Sequence, residues 1–370
     1  MGECMKWPER YDTWIIALAG AVFFLPFLGG VHLFDWDEVN FAECAREMIE
    51  TGQYFRVQIN YEPFWEKPPL FFWLQALSMK IWGVNEYAAR FPNAVAGIIG
   101  LVALYRFGRQ WKDRLFGWLW AGAYFGAILP HLYFKSGIID PWFNLFIFLG
   151  FYYFIRFQQC SQDAVRRRWT YLLLGGGMIG LGILTKGPVA ALLPGLSILI
   201  YWAYRRFRAG FHFGHLILYG VAALLLTGFW FGLEILSNGS WFVEEFIRYQ
   251  IRLLSTEDAG HGGFPAYHFV VLLFGCFPIS IFALDTIFRK KENTAFGQAS
   301  VWWIILLMVV LIIFSIVQSK IIHYSSLAYY PLAFLAAQSF YRLLKSGISI
   351  PKWIPAGLVI SGLPVSLLTI

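Results

Sequence analysis

Charge is what this sequence has least of: Asp, Glu, Lys and Arg together make up 14% of its 370 residues. Soluble domains carry roughly a quarter. With 58% hydrophobic residues and a mean hydropathy of +0.58, a water-soluble globular fold is excluded. Basic runs with nucleic-acid spacing are missing, and so are heptads and short-period repeats. Those absences exclude a nucleic-acid surface, a coiled coil and a repeat array. Cysteine is scarce as well. Cys4, Cys44, Cys160 and Cys276 stand singly, without metal-ligand spacing. The apolar stretch 13–31 follows a charged start, as a signal peptide would. It is long for that role and has no small-x-small cleavage site, so it reads as a retained span.

What is present is a succession of apolar runs, each near the roughly 20 residues that one crossing needs. They fall at 13–31, 91–108, 115–133, 141–157, 170–185, 188–204, 214–233, 266–287, 299–318, 324–342 and 353–370. A shorter run at 68–83 forces a choice. If it crosses, the loops holding Arg106 to Arg114, Arg156 to Arg168 and Arg205 to Arg208 all face outward. If it does not, these loops face the cytoplasm together with Lys6, Arg10, Arg289 to Lys291, Arg342, Lys345 and Lys352. That places 19 of the 29 Lys and Arg inside, where the orientation bias puts them. Of the 22 acids, 15 then lie outside, and Cys44 is the only external cysteine. The expectation is an all-α polytopic membrane protein forming a single transmembrane domain over residues 1–370. It has about eleven spans, a cytoplasmic amino terminus, and 68–83 lying in the outer interface. The chain ends at Ile370 without a polar tail, as a piece of a longer protein would.

Two outer segments are long, 32–90 and 234–265. In the first, Phe41, Ala42, Ala45, Met48 and Ile49 share a helical face opposite Glu43, Arg46, Glu47 and Glu50. This predicts an amphipathic juxtamembrane helix over 38–51 that stops at Gly52. Tyr54, Val57, Ile59 and Tyr61 then suggest a short extended piece. Pro68 and Pro69 open the interfacial helix. Asp37 has two readings, a helix cap or a site acid. Asp35 reads as a solvated loop acid or second cap, and Glu38 either complements the helix dipole or joins the site. Three further charges, Asp140, Lys186 and Lys320, sit in tight outer turns. Each would cost roughly 2.5–3.5 kcal/mol at membrane depth. Asp37, Glu66 and Asp140 suit a general base, a metal or sugar hydroxyls. Lys67, Lys186, Lys320, Arg248 and Arg252 suit the phosphate of a lipid-linked leaving group.

Taken in order, DWDEVNFAECAREM, FWEKPPL, KSGIID, LTKGP and SKIIHY resemble the C-type membrane glycosyltransferases of the protein O-mannosyltransferase and aminoarabinose transferase group, over residues 10–345. The resemblance implies inverting transfer of a hexosyl or pentosyl group from a polyprenyl-phosphate carrier. The acceptor would be lipid A, another glycan or a protein at the outer face of a bacterial inner membrane. Asp37 becomes the candidate acid/base with Glu38 as partner, and Asp140 a site acid. Lys186, Lys320 and Tyr324 fall at the donor phosphate. A divalent metal is implied at Glu66 and His261, with His268 and His323 behind His261; no organic cofactor and no nucleic acid are expected. The competing class is a transporter or lipid flippase without covalent chemistry, whose ionisable groups usually sit near the midplane. A catalytically inactive scaffold is a third.

Overall fold

A computed structural model describes residues 8–34, 36–255, 262–291, 294–346 and 349–367. Among them the chain is helical apart from one hairpin. Its helices are α1 (Asp12–Phe24), α2 (Asp37–Thr51), α3 (Leu70–Trp82), α4 (Glu86–Trp111), α5 (Arg114–Phe125), α6 (Ile128–Tyr133), α7 (Asp140–Gln159), α8 (Val165–Lys186), α9 (Val189–Tyr204), α10 (Phe213–Asn238), α11 (Trp241–Ser255), α12 (Tyr267–Gly275), α13 (Ile279–Ile287), α14 (Ala295–Ile316), α15 (Tyr329–Ser346) and α16 (Trp353–Leu367). Strands β1 (Gln58–Ile59) and β2 (Glu62–Pro63) pair antiparallel, Gln58 opposite Pro63. Asn60 and Tyr61, both at positive φ, form the tight turn between them.

Helix boundaries follow local chemistry. Asn85 and Asp113 cap α4 and α5 by accepting from the backbone N–H of Ala88 and Phe116, each at 2.9 Å. Pro141 occupies the first turn of α7. Gly52, at φ +70°, ends α2 where the sequence placed its stop. Gly187, at φ +117°, turns α8 into α9.

The apolar runs of the sequence fall on these helices, and two of them are broken. The run 115–133 is broken at Gly126 into α5 and α6. The run 266–287 bends by 116° between α12 and α13, where Pro278 contributes no N–H to continue the ladder. The broken pair still traverses the bundle. His268 of α12 lies 3.1 Å from Ser325, whereas Asp285 of α13 accepts from Ser339 and Arg342 near the far end of α15. Among the described residues α4, α10 and α14 are individually long and apolar enough to cross a membrane, and the α12–α13 pair qualifies if taken as one span.

Ion pairs mark the two ends of the bundle. At one end Asp12 pairs with Arg114 at 2.7 Å, Glu9 with Arg109 at 3.5 Å, and Tyr341 donates to Asp113 at 2.5 Å. Arg168 donates to the Gly210 carbonyl there, and Arg289 and Arg342 meet at Asp285. At the other end lie α2, the hairpin, α3 and α11. α3 stays at this end: Gln75 from its middle donates to the Ala89 carbonyl at 2.9 Å, close to the start of α4. Its two ends pack near Trp230 and near Tyr87 and Phe91. The basic loops of the sequence thus gather opposite the acid-rich end.

Between the ends an aromatic core packs α4, α5, α7, α14 and α15, with Trp120, Trp303, Phe148, Phe334 and Tyr330 buried in ring-to-ring contact. Glycines bring α8 onto α10: a Cβ at Gly176 would stand 2.4 Å from the Tyr219 carbonyl oxygen. Such small-residue contacts supply the van der Waals packing that holds helices together in lipid.

Candidate functional site

At the acid-rich end a cavity of about 360 Å³ opens among α2, the loop before α3, α7, the α8–α9 turn, α11, α14 and the 3-10 turn Ile322–Ala328. Asp37, Glu66, Lys67, Asp140, Lys186, Tyr249, His323 and Tyr324 supply its polar wall. Val189, Leu192, Leu193, Ile313 and Val317 supply an apolar flank, and Leu192 is exposed on the outside of the bundle.

Each acid is set by its helix. Asp37 and Asp140 are the first residues of α2 and α7, where the positive end of the helix dipole favours a carboxylate. Trp36, not Asp37, holds the cap position of α2, at a positive φ of 68°. Asp37 keeps a third of its side chain exposed, whereas Asp140 is buried. Lys186, the last residue of α8, donates to both oxygens of Asp140 at 2.7 and 2.8 Å. Its ammonium also lies 5.0 Å from the Tyr324 ring centre. Lys67 donates to the Tyr249 hydroxyl at 3.2 Å and stands 3.8 Å from Glu66.

His323 lies between the two acids, its Nε2 3.5 Å from Asp37 Oδ2 and 3.7 Å from Asp140 Oδ2. Burial pushes its imidazole below the usual histidine range. Asp140 and Asp37 pull it back up, against Lys186 and Lys67. The sequence offered His323 only as a distant metal ligand; its position beside both acids depends on the turn at 322–328 folding back over α7.

Four expected site residues take other places. Glu38 is buried and pairs with Arg90 at 2.7 Å through one oxygen, while its other oxygen accepts from Arg90 Nε at 3.1 Å. The backbone N–H groups of Phe34, at 2.8 Å, and of Gly137 also donate to it. A carboxylate so fully engaged anchors the first outer loop rather than exchanging a proton. Arg90, unmarked in the sequence, completes the anchor by donating to the carbonyls of Leu28, Val31 and His32 at 2.7, 2.8 and 2.9 Å. Lys320 turns its ammonium onto the carbonyls of Phe314, Ser315 and Val317, closing the carboxyl end of α14. Arg248 is exposed on α11 and pairs with Glu245, and Arg252 lies 5.2 Å from the Tyr249 ring centre; neither lines the cavity.

The implied metal has one described ligand. Glu66 faces the cavity beside Lys67, and His261 lies outside the described residues. Among the described residues no three His, Cys, Asp or Glu side chains stand together as a metal set. The described residues alone do not form such a centre.

Residues 66–231 match the family described as "Dolichyl-phosphate-mannose-protein mannosyltransferase". Over those residues the chain is similar to that family. Similar curated proteins include undecaprenyl phosphate-alpha-4-amino-4-deoxy-L-arabinose arabinosyl transferases. That of Aeromonas salmonicida is 26% identical over 91% of this chain and 61% of its own length. That of Pseudomonas aeruginosa is 27% identical over 92% and 62%. The chain thus spans about three fifths of the relatives it matches. Among solved structures, ArnT from Cupriavidus metallidurans bound to undecaprenyl phosphate superposes with a TM-score of 0.79 at 22% identity, covering 90% of this chain and 61% of that one. The Archaeoglobus fulgidus oligosaccharyltransferase gives 0.54 at 14% identity, covering 97% and 55%. Both likenesses are of fold.

Proposed function

We propose that the chain is the membrane portion of a glycosyltransferase that takes its sugar from a polyprenyl-phosphate carrier and inverts the anomeric centre. The observation that carries this reading is the cavity itself. Its acids and cations face an apolar flank at the bundle surface, where a lipid carrier can lay its chain. A carrier phosphate seated there meets Lys67 and Lys186, which stabilise the charge that develops as the sugar–phosphate bond breaks. Asp37, a partly exposed carboxylate at the start of α2, serves as base, while Lys186 holds Asp140 in place. Tyr324 borders the phosphate position. Arg248 and Lys320 are left out of the donor site because Glu245 and the end of α14 hold their charges, and Arg252 because it does not line the cavity. Undecaprenyl phosphate-linked 4-amino-4-deoxyarabinose, named in the relatives, is the first donor to test.

In this reading the cavity faces the periplasm. The basic loops at the opposite end face the cytoplasm, as does the amino terminus, and the bundle crosses the inner membrane about eleven times with α3 in the outer interface. The acceptor is a lipid, glycan or protein of the envelope. A divalent metal, if used, would take Glu66 as one ligand. The test is transfer of radiolabel from an undecaprenyl-phosphate sugar by purified protein. Asp37→Asn is expected to abolish it while leaving the thermal transition in place. Undiminished turnover by that variant would remove Asp37 from the mechanism.

A further inference from the structure

Arg168, in the first turn of α8, is only 9% exposed, yet no carboxylate among the described residues pairs with it. Elsewhere in the bundle Arg90, Lys186 and Arg342 each meet one, at Glu38, Asp140 and Asp285. Arg168 instead donates to two neutral acceptors, the Gln162 side chain and, at 2.6 Å, the Gly210 carbonyl. Its guanidinium carbon stands 4.7 Å from the Phe157 ring centre. Its Nε is buried and has no hydrogen-bond partner among the described residues. A guanidinium taken out of water with only neutral contacts is costly unless an anion joins it.

Arg168 lines an open cavity of about 520 Å³ at the basic end of the bundle, opposite the cavity described above. Trp169, His212 and His215 share its wall, and none of its lining residues is acidic. The cavity sits at the first turn of α10, where the helix dipole favours an anion. Exposed Arg166 and Arg167 neighbour it in the chain, as do Arg205, Arg206 and Arg208 in the loop before Gly210. The nearest acid in the chain, Asp163, accepts from Ser161 at 3.3 Å. From this cavity the same two helices continue as exposed apolar surface. Trp169 and Leu173 of α8, and Phe213, Ile217 and Val221 of α10, recur at the four-residue spacing of one helix face.

We infer that this cavity binds the headgroup phosphate of an anionic phospholipid, drawn from the leaflet at the basic end of the bundle. The phosphate supplies the negative charge that Arg168 lacks, and a guanidinium fork matches its oxygens. His215 adds a donor. Its Nδ1 accepts from the His212 backbone N–H at 3.2 Å, so the neutral ring carries its hydrogen on Nε2. The acyl chains lie along the exposed apolar residues of α8 and α10. Trp169, its ring 5.5 Å from that of His215, marks the headgroup level as interfacial tryptophans do. A free phosphate ion would use only the polar half of this surface.

The experiment follows thermal unfolding of the purified, delipidated protein in a neutral detergent. It is titrated in separate arms with phosphatidylglycerol, zwitterionic phosphatidylcholine and inorganic phosphate. A ligand that binds only the folded state raises the transition, so phosphatidylglycerol is expected to raise it by several degrees and the other two by less than a degree. Arg168→Gln, which keeps a donor for the Gly210 carbonyl, should lose most of that rise. The double variant Arg166→Gln, Arg167→Gln should keep it, because those side chains are exposed outside the cavity. An equal rise with phosphatidylcholine, or one that survives Arg168→Gln, would overturn the site. So would a double variant as impaired as Arg168→Gln, the mark of a diffuse basic surface, or a rise with inorganic phosphate alone, the mark of a free-ion site. Should Arg168→Gln fail to fold, wild type is photo-crosslinked with phosphatidylglycerol carrying a headgroup diazirine. Label confined to 162–169 and 210–215 supports the site, and label spread over the other basic loops refutes it. None of these readouts uses sugar transfer, so the outcome is independent of the glycosyltransferase reading.

Discussion

Replacing Glu38 by glutamine tests the anchor of the first outer loop. Its two oxygens each accept from one Arg90 N–H and one backbone N–H, and both partners are 2% exposed. Whichever oxygen becomes an amide NH2, one arginine donor and one backbone donor lose their acceptor. Each buried donor left unpaired costs about 1–3 kcal/mol, so the loss is about 2–6 kcal/mol. Removing one partner of a buried ion pair costs about 3–5 kcal/mol, in agreement. Asp37 is the neighbouring residue, so loosening this anchor also misplaces the base. The assay is thermal unfolding of purified protein by tryptophan fluorescence at a fixed scan rate, alongside the transfer rate. The expected result is a transition several degrees lower together with reduced transfer. A variant that melts within a degree of wild type and transfers at the full rate would refute the account of Glu38 as an anchor.

Two further substitutions separate structure from site. Lys320→Met removes the ammonium that closes α14 and should lower the melting temperature while leaving donor KM within about twofold; a large KM increase at unchanged stability would return Lys320 to the phosphate. Gly176→Val places side-chain carbon against the Tyr219 carbonyl, where even a Cβ stands at 2.4 Å. It should separate α8 from α10 and lower the yield of folded protein, and a normal yield and melting profile would contradict that packing.

Much of the architecture was legible because membrane burial writes itself into composition. Apolar runs of crossing length cannot be placed in water, and Lys and Arg mark the loops between them. The amphipathic pattern of 38–51 and the stop at Gly52 also reflect local rules, and α2 ends at Thr51 accordingly. The two helix breaks were less legible, since apolar composition is uniform across Gly126 and Pro278 and hydropathy averages over them.

The sequence by itself determined that this is a helical membrane protein whose charged residues collect in a few turns, and it named Asp37, Glu66, Lys67, Asp140 and Lys186. Spacing along the chain could not say which charge meets which. Glu38 and Asp37 are adjacent in sequence, yet the helix turns one into a buried pair with Arg90 and leaves the other a third exposed. Lys186 and Lys320 look alike in their turns, yet one clamps Asp140 and the other closes a helix end. His323 stands 286 residues from Asp37 in the chain, its Nε2 3.5 Å from that carboxylate in space. Those differences arise only when helices pack, because low dielectric and lost water force every buried charge to find a partner.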